Sequence, residues 1–211
     1  VKASAMAVGQ VRNNVIHPAK GIYVLPGTIS ASVTWANQGL SHYYVHGDVV
    51  VAGPGTPILT LESGITLRFA RGAGLYVGTT TVPGALVADG RSAWIHLTRA
   101  EEVEYWSGIF LDSTCNASLT NLTGLIVDYG GYDTSWHETI WSSNIAIYHV
   151  SPTISQSVIG HSKRHGIVME ASAATLIGNA FIANGSADAH FDIRCDATSS
   201  PTIHHSTFQN G

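Results

Sequence analysis

Ile154-Ser-Gln-Ser-Val-Ile159, Leu176-Ile-Gly-Asn-Ala-Phe181 and Ile203-His-His-Ser-Thr-Phe208 repeat one pattern. Each has an apolar residue, four mostly small or polar residues, and a second apolar residue five positions on. Leu119-Thr-Asn-Leu-Thr-Gly-Leu125 is a looser fourth member. Ile154 and Leu176 lie 22 positions apart, and Leu176 and Ile203 lie 27 apart. A self-similar period in the twenties is that of one solenoid coil, in which each unit buries its apolar face only against its neighbours. The pattern therefore predicts stacked core rows: Ile154, Leu176 and Ile203 in one, Ile159, Phe181 and Phe208 in another.

Working outward, Gly108-Ile-Phe-Leu111, Gly166-Ile-Val-Met169 and His190-Phe-Asp-Ile193 read as further strands of the same coils. Asn184-Gly185 and Asn210-Gly211 are expected at a matching turn that needs positive φ. The first half is also written in short β-branched runs, among them Asp48-Val-Val-Val51, Ile58-Leu-Thr-Leu61 and Gly74-Leu-Tyr-Val77. Gly53-Pro54-Gly55, Ser63-Gly64, Gly72 and Gly84 punctuate them. A sandwich would give many short strands too, but not near-equivalent coils. Ala3 to Val11 is the one helix candidate, expected to cover the first coil.

Composition agrees. Only 11% of the 211 residues are charged, and the formal net charge is -4, which is far from the basic surface that tracks a phosphate backbone. Nucleic acid is not an expected partner. No apolar run approaches the roughly 18 residues of a membrane span. The two cysteines, Cys115 and Cys195, are too few for a disulfide scaffold. They occupy similar coil positions on this reading, about three coils or 14 Å apart at 4.8 Å per coil, so two free and mostly buried thiols are expected.

Tyr43-Tyr-Val-His-Gly-Asp-Val-Val-Val51, Leu59-Thr-Leu-Glu-Ser-Gly-Ile-Thr-Leu-Arg-Phe69, Gly74-Leu75 and Gly84-Ala-Leu-Val-Ala-Asp-Gly90 resemble the opening coils of bacterial right-handed β-helix repeat proteins of the pectate-lyase-like superfold. Trp106-Ser-Gly-Ile109 is similar to the next coils of such proteins. Ser63 departs from the proline common in that turn, which should change turn stiffness only. The resemblance covers about Gly21 to Gly211. It implies an all-β, single-stranded right-handed parallel β-helix over residues 21–211, with a short cap in residues 1–20 and no C-terminal cap. It also implies an extracellular or cell-surface location. An open last coil would allow end-to-end self-association.

The superfold hosts lyases, hydrolases, adhesins and scaffolds, so function must come from the site. Lyases of this kind use stacked acids around calcium with a facing base, and Asp112, Asp128 and Arg164 do not line up that way. Hydrolases need paired carboxylates, and Asp192 with Asp196 is a poor match. Eleven histidines include His42/His46, His161/His165 and His204-His205, none at a full metal-site spacing. Trp106 reads as wall packing.

Two insertions break the rhythm: Thr98 to Tyr105, and Tyr129-Gly-Gly-Tyr-Asp-Thr-Ser-Trp-His-Glu-Thr-Ile-Trp141. Long loops on a rigid solenoid are where function is usually carried. Glu101 and Glu104 from the first, with Tyr132, Asp133, Trp136, His137, Glu138 and Trp141 from the second, form the candidate ligand-binding set. Aromatic faces stack on sugar rings and acids accept from hydroxyls; the alternative is a lid folded back on the wall. The expectation is a non-catalytic module, a surface scaffold, adhesin or polysaccharide-binding domain, facing a neutral or cationic glycan. The rival is a carbohydrate-active enzyme, a polysaccharide lyase or glycoside hydrolase. No cofactor is implied; calcium is the one ion that would fit, as a bridge to a polyuronate.

Overall fold

The computed structural model describes residues 1–11, 21–132, 142–185 and 190–209. Among the described residues there are three parallel sheets, with nine, seven and seven strands. The chain visits them in turn. A strand of the first sheet (Ile22–Leu25) leads to one of the second (Gly27–Ile29) and one of the third (Val33–Trp35), then returns to the first at Tyr43–Val45. Each strand pairs with its equivalent one coil away and, from Ile22 onward, never with its sequence neighbour. The architecture is a parallel β-solenoid, with few charges and β-branched runs serving strands that are flanked on both sides.

The register bears out the stacking of the expected rows, but Ile203 and Phe208, on the last described coil, are exposed and not core. Leu122 pairs with Ile154, Ile154 with Leu176, and Leu176 with Ile203. In the first sheet Val127 pairs with Ile159, Ile159 with Phe181, and Phe181 with Phe208. Like therefore stacks on like, and the rings of Phe181 and Phe208 lie 5.0 Å apart and 7° from parallel. The fourth segment is in a different register from the one expected. Leu122, not Leu119, joins the row, and Leu119 is exposed. Its Leu122-to-Val127 spacing is the same five residues, and the extra apolar residue upstream obscured it.

The helix expected over Ala3 to Val11 does not form. Lys2–Ser4 is a strand of the first sheet, paired with Ile22–Leu25. Only Ala7–Gln10 makes a 3-10 turn, with Ala5 and Val8 buried in the core. At the turn after the first sheet, positive φ falls on Tyr129, His161 and Ala183, and again on Gly185. Asn184 itself is not in that conformation. It is buried, and its Nδ2 donates to Ile159 O (2.8 Å) and to Asp192 Oδ1 (2.9 Å). Asn144, two coils earlier, donates to Gly160 O (2.8 Å) and to Asn184 Oδ1 (3.3 Å). The asparagine is there to satisfy buried carbonyls at a corner, as a buried backbone requires. Asn210 and Gly211 lie outside the described residues.

The thiols differ from expectation in place but not in state. Both are free. Cys195 continues the second-sheet row of Leu111, Ile147 and Met169. Cys115 sits in a turn, bridged to Gly84. They do not occupy equivalent positions, and Cys195 is exposed where burial was expected.

Candidate functional site

The two insertions do rise from adjacent coils at one corner, between the first and second sheets. Trp106 N–H donates to Tyr129 O (3.0 Å), and Tyr132 N–H donates to Trp106 O (2.8 Å). On the next coil Lys163 N–H donates to Gly130 O (2.9 Å). Trp106 anchors this corner from inside. It is fully buried, stacks on Phe69 at 4.1 Å, and donates from Nε1 to Asp128 O (2.7 Å). Wall packing is its role.

Among the described residues, the aromatic rings at this corner meet cations, while Asp133 and Glu138 of the expected acidic surface lie outside the described residues. Tyr132 meets cations: the Arg71 guanidinium stands 4.9 Å from its ring centroid and Lys163 Nζ 5.5 Å. Arg99 lies 4.3 Å from the Tyr129 ring and donates from Nη1 to Val103 O (2.6 Å), and Tyr129 in turn stacks on His161 at 5.2 Å. The acids turn the other way, toward the outer wall of the first sheet. Glu101 pairs with Arg68. Glu102 accepts from the Tyr44 hydroxyl, which holds its carboxyl below the usual range. Tyr44 stacks on Tyr23 at 4.5 Å. Glu104 is exposed. Of the expected site, then, Tyr132, Glu101 and Glu104 are placed, with the tyrosine on a cationic ridge and Glu101 neutralised on the wall. Asp133, Trp136, His137, Glu138 and Trp141 lie outside the described residues.

The other acids considered for catalysis are held as structural acceptors. Asp112 accepts from Ser113 N–H and Oγ. Asp192 is buried against Asn184. Asp196 accepts from Ser199 and Thr198 hydroxyls, which depress its carboxyl to about 2. Asp128 meets His96 Nε2 at 3.0 Å, and its other oxygen is buried without a partner. Among the described residues no group of three or more His, Cys, Asp or Glu is placed to hold a metal ion.

One residue carried no mark in the sequence. Trp35 and Trp106 are fully buried, but Trp94 is 51% exposed. It stands at the opposite corner, between the third and first sheets. The signal was the Gly90-Arg-Ser-Ala-Trp94 stretch, which is longer than the turn one coil on, Gly124 alone.

Compared with protein-family models, with curated proteins and with solved structures, the chain finds no match.

Proposed function

We propose that this chain is a right-handed β-helix module of the bacterial repeat-protein kind, exported to the cell surface, that binds polysaccharide without cleaving it. The observation that carries the reading is the corner where Tyr129 and Tyr132 rise from one coil, backed by Trp106 from the coil before and framed by Arg71, Arg99 and Lys163. A cation on an aromatic face keeps that face fixed and contributes about 0.5–1 kcal/mol at an exposed site. The same guanidinium retains donors for a carboxylate or sulfate. Side chains that need no further ordering bind at a lower entropic cost.

This corner favours an acidic polysaccharide, where the sequence had suggested a neutral or cationic one. Calcium is not needed to bridge Tyr132's surroundings to such a ligand, because the charges already oppose. The engagement of Asp112, Asp192 and Asp196 by their own neighbours supports binding over catalysis. The test is a glycan array of neutral, uronate and sulfated chains, run beside an assay for new reducing ends and unsaturated products. Retention of uronate or sulfated chains that weakens with salt, and that Arg71→Ala and Tyr132→Ala each reduce about tenfold, is the expected result. Release of shortened product would replace the binding reading by a lyase or hydrolase.

A further inference from the structure

The corner between the third and first sheets changes abruptly along the solenoid. Its connections are residues 36–42, 62–65 and 90–94 in the early coils, then Gly124 alone, then 156–157, 178–179 and 205–206. Long loops give way to tight turns, so the loop 90–94 is the last of a protruding stack and overhangs a step. The stack is braced. Asn37 Nδ2 donates to Ser63 O (3.0 Å), Ser92 Oγ donates to Ser63 Oγ (2.8 Å), and Gly64 N–H donates to Ala93 O (3.0 Å). Ser63, where proline is common in the resembling proteins, is the central point of this bracing.

Below the step lies a groove of about 460 Å³, lined by Trp94, Arg91, Gly124, Gln156, Gly178 and Ala180 among others. That volume is within the range of small-ligand sites. Three of its lining positions are glycines, Gly90, Gly124 and Gly178. Gly90 and Gly124 touch so closely that a Cβ on Gly124 would stand 2.6 Å from Gly90 carbon. At Gly178 the same test meets open space, which is the groove itself. Its charge is balanced. Among the described residues Arg91 is the one charged side chain lining it, and it holds Asp89 through Nε (2.8 and 3.1 Å) and Nη2 (2.5 Å). What remains for a ligand is an exposed indole face, the Gln156 amide and backbone polar groups.

We infer that this groove is a second carbohydrate site, taking a neutral pyranose residue stacked on Trp94, with its hydroxyls met by Gln156. Trp94 is the one described tryptophan left half-exposed, and it borders a groove of ligand size. A sugar ring offers an apolar C–H face to the indole and hydroxyls to an uncharged polar rim, and a uronate would meet no unpaired cation here. The inference takes from the preceding reading only that the module meets polysaccharide. The two sites sit at different corners and differ in the charge they accept.

Calorimetric titration of the whole chain with β-1,4-linked hexasaccharides of glucose, xylose and mannose, and with hexagalacturonate, separates them. At least one neutral hexasaccharide should bind. Trp94→Ala should weaken it by about tenfold or more, a larger loss than any seen with hexagalacturonate. Gly178→Asn should do the same, since asparagine tolerates the left-handed backbone at φ +63° while its side chain enters the groove. Leu119→Ala, exposed in a turn away from both corners, should change nothing. Neutral binding that survives both groove variants overturns the inference. Binding of hexagalacturonate alone also overturns it and leaves the cationic corner standing. No binding of any hexasaccharide overturns the inference and removes uronates, but not sulfated chains, from the ligands of the cationic corner.

Discussion

Phe181→Ala is the sharpest test of the coil register. Phe181 is fully buried in the first-sheet row, between Ile159 on one side and Phe208 on the other. Truncation deletes the ring's burial and leaves a cavity that the strands, fixed by pairing on both edges, cannot close. Core Phe→Ala changes cost about 3–5 kcal/mol. The parallel stack on Phe208 adds about 0.5–1.5 kcal/mol for the lost aromatic pair. Phe208 is itself 51% exposed, so that neighbour can relax, which places the expected loss near about 3 kcal/mol, at the lower end of the range. For a chain of this length about 1 kcal/mol shifts the thermal midpoint by roughly 2–4 °C, so a fall of about 6–12 °C is expected. Urea titration with a shared m-value is the primary assay, because solenoids can unfold in parts. Ile203→Ala, in the neighbouring row but 40% exposed, is the internal control and should cost under about 1 kcal/mol. A Phe181→Ala loss as small as the control's would mean that the side chain faces solvent and that the inferred rows are wrong.

Three further outcomes rest on particular residues. Cys195 should react with a thiol reagent in the native protein while Cys115 stays protected, since burial pushes the Cys115 thiol up and hides it; under denaturing, non-reducing conditions mass spectrometry should find both labelled and no bridge. Gly124→Ala should destabilise by more than the roughly 1 kcal/mol of an ordinary glycine replacement, because φ is +66° and the new Cβ meets the Gly90 backbone; an unchanged urea midpoint would refute that contact. Gly178→Ala, at φ +63° but facing open space, should cost only the strain of the left-handed backbone, about 1–2 kcal/mol, and a loss equal to that of Gly124→Ala would mean that crowding is not what separates the two turns.

The rows were legible because a strand stacked on its equivalent needs the same kind of side chain at the same place. Ile154, Leu176 and Ile203 stand out in any one coil and repeat in the next. What stayed hidden is whatever contradicts that rule. Leu119 is apolar and exposed, so it pulled one coil three residues out of register. Ala3 to Val11 has helix-forming residues, yet Lys2–Ser4 pairs as a strand because the open edge of the first sheet offers it three partners. The charge of the candidate site could not be read from composition. Glu101 was read as a ligand-binding acid, but Arg68, 33 residues earlier on the adjoining wall, takes it, and Tyr44, 58 residues before Glu102, takes that neighbour. Trp94 was missed because its coil corner is distinguished only by being longer than those after it, a property of the stack and not of the residue.

Acid sensitivity should be concentrated at one histidine. His165 opens the second-sheet strand His165–Glu170, is 5% exposed, and stacks on Phe191. Burial, then the nearby Arg194, His190 and Arg164, lower its pKa to about 4. The Phe191 N–H donates to its Nδ1 (3.1 Å), a bond that a protonated nitrogen cannot accept. The sign is fixed by the direction of the shift. Above about pH 6.5 the ring is neutral in both folded and unfolded chains, and it contributes nothing to pH dependence. As pH falls below about 6.5 the unfolded chain takes up the proton first, so stability drops progressively until the folded ring also titrates near about pH 4. At about 1.36 kcal/mol per pKa unit the full loss is on the order of 3 kcal/mol. Urea midpoints measured at about pH 7, 6, 5 and 4.5 should therefore decline, and His165→Phe, which keeps the ring stacked on Phe191 without a titrating nitrogen, should flatten the decline. If the variant loses stability with the same slope as the wild-type chain, the proton goes elsewhere, and the buried, neutral state of His165 is not what limits this wall in acid.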